Sequence, residues 1–208
     1  MGIEQLIVQV STSVIFLLSA MLSLLLTRKF IVKRHKSYLF WSIGMWLFAF
    51  GSLLEILFAS GIYGRALIDV YLFIVALLVE SLALGSMQLI KSEKIRLSYY
   101  SFCVATSLLL AYSIFTTQIG NIITTYVVFG RLPLAIIITS SLVTFPASAV
   151  LVIIAALSYK KSKNKKMLYI IAGVVIVSIG STLYITGIPE FLYFVEFIGI
   201  ILLWLAFF

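Results

Sequence analysis

Four carboxylates interrupt long apolar runs of this chain: Glu55, Asp69, Glu80 and Glu196. A carboxyl in apolar surroundings can hold and release a proton or bind a cation. At the centre of a bilayer a charge costs about 3 kcal/mol on insertion scales, so such residues are functional candidates by default. Asp69 and Glu80 are separated by about three helical turns and would share one face of a helix. In the functional reading the four acids line a polar path. In the alternative reading Glu55 and Asp69 pair with Arg65, and Glu196 pairs with Arg131 or reaches the outer surface. Arg65 and Asp69 stand at i, i+4 spacing, which favours an ion pair. Glu80 has no basic residue at its depth, and its alternative is a neutral acid bonded to a neighbouring helix at Ser178 or Ser181.

Other chemistry is scarce. One cysteine, Cys103, allows no internal disulfide. A single histidine, His35, supports neither a bis-histidine haem nor a Cys/His zinc site. No cofactor is expected. Lipid-active enzymes usually need metal-binding or nucleophilic groups, and here there is no His/Asp cluster and no paired cysteine, so a non-catalytic role is expected.

These residues need elements to position them, and the composition says which. The 208 residues are 63% hydrophobic and 11% charged, with a mean hydropathy of +1.22. Soluble domains carry roughly 45–50% apolar and about 25% charged residues. A soluble enzyme, a nucleic-acid module and a disordered tail are excluded. Seven apolar runs approach the roughly 20 residues a membrane helix needs: about Leu6–Thr27, Tyr38–Ser60, Ala66–Ile90, Leu97–Thr117, Leu134–Ser158, Met167–Thr186 and Pro189–Phe208. The runs are too long and continuous for a β-barrel. The expected fold is all-α, a single polytopic domain over residues 1–208. The N-terminus lacks a basic region before its apolar run, so a cleavable signal is not expected.

The net charge of +8 follows from loop positions. Arg28, Lys29, Lys33, Arg34 and Lys36 lie between spans 1 and 2. Lys91, Lys94 and Arg96 lie between spans 3 and 4. Lys160, Lys161, Lys163, Lys165 and Lys166 lie between spans 5 and 6. Only Arg65 and Arg131 fall on the other side. The positive-inside rule makes the basic side cytoplasmic, with the N-terminus outside and the C-terminus inside a cell membrane. The expected partners are the bilayer, anionic headgroups at the basic loops, and a homo-oligomer or larger membrane complex. Nucleic acid is not among them.

Spans 2 and 6 match at a constant offset. Leu39 pairs with Leu168, Gly44 with Gly173, Gly51-Ser52 with Gly180-Ser181, Leu54 with Leu183 and Ile56 with Ile185. The same offset pairs Phe16 with Phe145 and Ser19-Ala20 with Ser148-Ala149. This predicts a parallel repeat, about 5–90 and 134–208, joined by a connector helix over 97–117. In this 3+1+3 arrangement the chain resembles the SWEET and PQ-loop carriers, which implies a transporter architecture. Their Pro-Gln motif is absent, because Pro133, Pro146 and Pro189 precede Leu134, Ala147 and Glu190. The topology is also similar to that of microbial rhodopsins, yet no lysine follows Lys166 to form a retinal Schiff base. The segments Phe48-Ala49-Phe50-Gly51-Ser52-Leu53-Leu54-Glu55 and Leu82-Ala83-Leu84-Gly85-Ser86 resemble uncharacterised seven-helix proteins of archaea and bacteria, a resemblance that implies no activity.

Gly44 and Gly51, like Gly173 and Gly180, are two turns apart and offer small faces for close helix packing. Pro146 is expected to kink span 5, with Thr144 or Ser148 helping to satisfy the freed backbone, and is a candidate hinge. Tyrosines and tryptophans near the span ends, Tyr71 and Tyr99 among them, read as an aromatic belt. Three functions follow: a small transporter or channel for a proton, cation or small solute; a non-catalytic subunit of a membrane complex; and, least supported, a lipid-active enzyme.

Overall fold

Apolar runs of this length become helices because a backbone in hydrocarbon must satisfy its hydrogen bonds within the segment. The computed structural model describes the backbone of residues 3–119, 122–124, 127–128, 132–186 and 190–207, and their side chains except at 3–5, 7, 123–124, 127–128, 177–186 and 190–192. Seven helices follow in order: α1 (Ile3–Lys33), α2 (Lys36–Ala59), α3 (Arg65–Met87), α4 (Glu93–Thr116), α5 (Leu134–Ser162), α6 (Lys166–Thr186) and α7 (Glu190–Phe207). Two short strands, β1 (Ile123–Thr124) and β2 (Val127–Val128), pair antiparallel between α4 and α5.

Five helices are long and apolar enough to cross a membrane, the spans being Val8–Lys33, Lys36–Ala59, Arg65–Met87, Glu93–Thr116 and Leu134–Ser162. α6 and α7 are apolar helices of 21 and 18 residues; the stretches Lys166–Ile176 and Tyr193–Phe207 within them are shorter than a full span. Each predicted run therefore corresponds to a helix, with shifted ends. α1 continues past Thr27 to Lys33 and α5 past Ser158 to Ser162. Cations in a last helical turn complement the partial negative charge there, so the basic residues extend these helices. Left-handed backbone at Arg34 (φ 54°) and Lys163 (φ 54°) then turns the chain. Asn164 Oδ1 accepts a bond from Lys166 N at 3.0 Å, which starts α6.

The helices pack in chain order, α1 on α2, α2 on α3, α5 on α6 and α6 on α7. α7 returns to α1, α3 meets α5, and α4 lies against α3 and α5. The central core joins Leu22 and Leu26 of α1, Met45 of α2, Leu82 of α3, Leu151 of α5 and Ile200 of α7. At the end opposite the basic loops, Ile122 packs with Phe58, Ile68 and Tyr71, so the α4–α5 connection plugs that end of α2 and α3.

Three of the four predicted small-face glycines have described surroundings. A Cβ on Gly44 would stand 2.9 Å from Leu82 Cδ2, and Gly173 lies against Leu202 and Gly199. Gly51 makes only ordinary contact, and Gly180 lies outside the residues with described side chains. The tightest approach is at Gly85, where an added Cβ would collide with the Trp41 indole. α5 runs unbroken through Pro146. Thr144 Oγ1 donates to Ser140 O at 3.0 Å rather than to Leu142 O, the carbonyl that Pro146 leaves without its helical donor, so the expected backbone support is not provided by Thr144.

Candidate functional site

Glu80 is 4% exposed on α3. It faces α4, where Tyr99, Cys103 and Ser107 recur every four residues and so share one helix face. Ser107 Oγ donates to Glu80 Oε2 at 2.6 Å. Cys103 lies within electrostatic reach of both Glu80 and Tyr99. Glu80 Oε1 and the Tyr99 hydroxyl are buried without a hydrogen bond. The bonded alternative expected for Glu80 thus exists on a different helix: Ser107 of α4 is the partner, while the side chains of Ser178 and Ser181 lie outside the described residues.

Glu55 is 3% exposed and stands one turn from the end of α2. The expected pair with Arg65 does not form. Instead the Tyr71 hydroxyl of α3 donates to Glu55 Oε1 at 2.6 Å. The reason is direction: Arg65 is the first residue of α3 and points to its own helix and the α4 end. Its Nε lies 3.8 Å from Asp69 Oδ2 and its Nη2 donates to Thr117 O at 3.3 Å. The predicted Arg65–Asp69 pair is present, and it is the ion pair recorded among the described residues. With Arg65 55% exposed, it adds little.

Glu196, six residues into α7, lies within electrostatic reach of Glu55. Its Oε2 is buried and unpartnered, as is Glu55 Oε2. Arg131, its predicted partner, lies outside the described residues.

The acids therefore form two sites rather than one path. Tyr71 and Glu80 are nine residues apart on α3, two and a half turns at about 3.6 residues per turn, and so face opposite sides. Glu55 bonds Tyr71 and lies within electrostatic reach of Glu196, whereas Glu80 looks toward α4. A cavity of about 20 Å³, room for roughly one water, lies beside Trp41, Ser86 and Phe207, and none of the acids lines it.

Sequence reasoning missed Tyr71, Tyr99, Cys103 and Ser107. The two tyrosines were absorbed into the aromatic belt. The i, i+4, i+8 recurrence of Tyr99, Cys103 and Ser107 was the available signal. Among the described residues no group of three or more His, Cys, Asp or Glu is placed to hold a metal.

Compared with protein-family models, curated proteins and solved structures, the chain matches none of them. The likeness to SWEET, PQ-loop and rhodopsin architectures therefore has no support from these comparisons. What stands is an all-helical protein with five helices apolar enough to span a membrane.

Proposed function

We propose that this protein is a multi-pass carrier or channel for protons or another small cation, with Glu80 as the ion-holding group. The observation that carries the reading is the state of that carboxyl. It is buried, one oxygen is fixed by Ser107, and the other is left without a partner. No basic side chain pairs with it among the described residues. A buried carboxyl of that kind needs a positive charge or a proton to balance it. Asp69, 17% exposed and on the same face of α3 nearer the opposite end, is a candidate entry group.

A cell membrane, an N-out orientation and anionic headgroups at the basic loops belong to the same proposal, supported by the clustering of Lys and Arg in three loops at one end. The parallel repeat is supported by the paired glycines, since Gly44 packs on the next helix, α3, and Gly173 on the next helix, α7. Pro146 is the candidate hinge.

The test is flux. In proteoliposomes with a pH-sensitive dye, the wild type should dissipate an imposed gradient, and Glu80→Gln should abolish the flux while the protein stays folded. Unchanged flux in the variant, or none in the wild type, overturns the proposal. A second reading, a non-catalytic subunit of a larger assembly, is favoured by the small cavity that no acid lines. Purification in mild detergent tests it, with stoichiometric co-purifying subunits as the expected result.

A further inference from the structure

We propose that Glu55 and Glu196 form a proton-binding site of their own, holding one proton between the two carboxyls, with Tyr71 orienting the pair. This site is separate from Glu80 and does not rest on the transport reading.

Three helices converge on it at one level. Glu55 is one turn from the end of α2, Tyr71 is in the second turn of α3, and Glu196 is in the second turn of α7. The apolar frame is set by Val8, Ala59 and Tyr193, buried together from α1, α2 and α7. Ala59 follows Glu55 by four residues and Tyr193 precedes Glu196 by three, so each acid lies one turn further into the bundle on the face that carries this cluster. Above them, Ile122 and Phe58 close the end of the bundle over Tyr71.

Charge balance then decides the occupant. Two carboxylates in such surroundings repel each other, and a buried charge is tolerated only when compensated. Among the described residues, which do not include Arg131, the groups around them supply no cation: Tyr71 bonds Glu55, and Val8 and Tyr193 belong to the apolar frame. The side chains of 177–186 on α6 lie outside the described residues. Arg65 is engaged with Asp69 and Thr117.

A metal ion is a poor fit. Hard cations take six or more oxygens, and two carboxyls with one phenol offer too few. One proton reduces the pair to a single negative charge, which the Tyr71 hydroxyl stabilises by donating to Glu55, and the tyrosine thereby assigns the proton's place. Tyr71 donates to Glu55 Oε1 at 2.6 Å, the length of a charge-assisted O–H···O bond. Glu55 is thereby set as the accepting half. Its second oxygen, Oε2, and Glu196 Oε2 are both buried without a partner. Glu196 holds the proton and Glu55 Oε2 is the acceptor toward which it is shared.

The experiment is pH-difference infrared spectroscopy of the full chain in lipid bilayers, reading the protonated-carboxyl band. A carboxyl band should be present that Glu55→Gln and Glu196→Gln each alter and that Glu80→Gln leaves in place. Tyr71→Phe keeps both carboxyls and should shift the same band, and this arm decides the matter if either glutamine variant fails to fold. The proposal is overturned if Glu55→Gln and Glu196→Gln change separate, independent bands, or if Tyr71→Phe changes nothing. It is also overturned if Na⁺, K⁺ or Ca²⁺ at constant pH removes the band, which would make a metal ion the occupant. Flux through Glu80 can fail while this band persists, so the two proposals fall separately.

Discussion

At the scale of single residues, neighbours rather than hydropathy decide what each polar group does. Glu55 was expected beside Arg65 because opposite charges attract at short sequence distance. The structure gives it Tyr71 instead, since Arg65 projects along its own helix to Asp69. Glu80 likewise takes Ser107. Glycine carries the sharpest steric demand. Gly85 lets the Trp41 indole, which bonds Ser86 Oγ at 3.3 Å, lie against the α3 backbone. Gly85→Ala should lower the midpoint of thermal unfolding in detergent, consistent with an overpacking cost of about 1–3 kcal/mol. Gly51→Ala, where an added Cβ makes only ordinary contact, should not lower the midpoint. Equal midpoints for the two would contradict the Trp41 contact.

At the scale of elements, the inward faces are marked by small and polar residues rather than by greasiness. α1 shows this best. Val8, Thr12, Ile15, Ser19, Leu22 and Leu26 are all at most 4% exposed. Their spacing alternates between four and three residues, a heptad seam. Thr12 and Ser19 return their hydroxyls to Val8 O and Ile15 O, both at 2.8 Å, so neither is left unsatisfied. Meanwhile Leu17 and Met21 are 58% and 56% exposed. Ser19→Leu should therefore destabilise the protein despite making α1 more apolar, whereas Leu17→Ala should be tolerated. Urea or SDS unfolding of both variants checks this, and a stabilised Ser19→Leu would show the seam misplaced. The same logic hides the α4 face of Tyr99, Cys103 and Ser107. Three moderately polar residues in an apolar helix become a site only when Glu80 is set opposite them.

At the scale of the whole molecule, the bundle closes by α7 returning to α1, and Lys29 Nζ donates to Phe207 O at 2.7 Å across that closure. Burial of Cys103 at 5% exposure follows from α4 lying on α3 and α5. A polar maleimide should label it slowly in the folded protein and rapidly after SDS denaturation, a contrast read by mass spectrometry. Fast labelling of the folded protein would mean that α4 separates from the bundle, or that water reaches Glu80.

Helix number and order, the loops and the segregation of charge were legible in the sequence, because hydrogen bonding in hydrocarbon permits little besides helices and because Lys and Arg avoid it. The candidate acids were legible too, since each is an isolated charge in an apolar run. Their grouping was not. Lipid and protein interior are equally apolar, so hydropathy does not reveal which face of a helix turns inward, and hence which acids meet. Only the tertiary packing gave Glu55 to Tyr71, brought Glu196 within electrostatic reach of Glu55, set Glu80 against α4, and divided an apparent path into two sites.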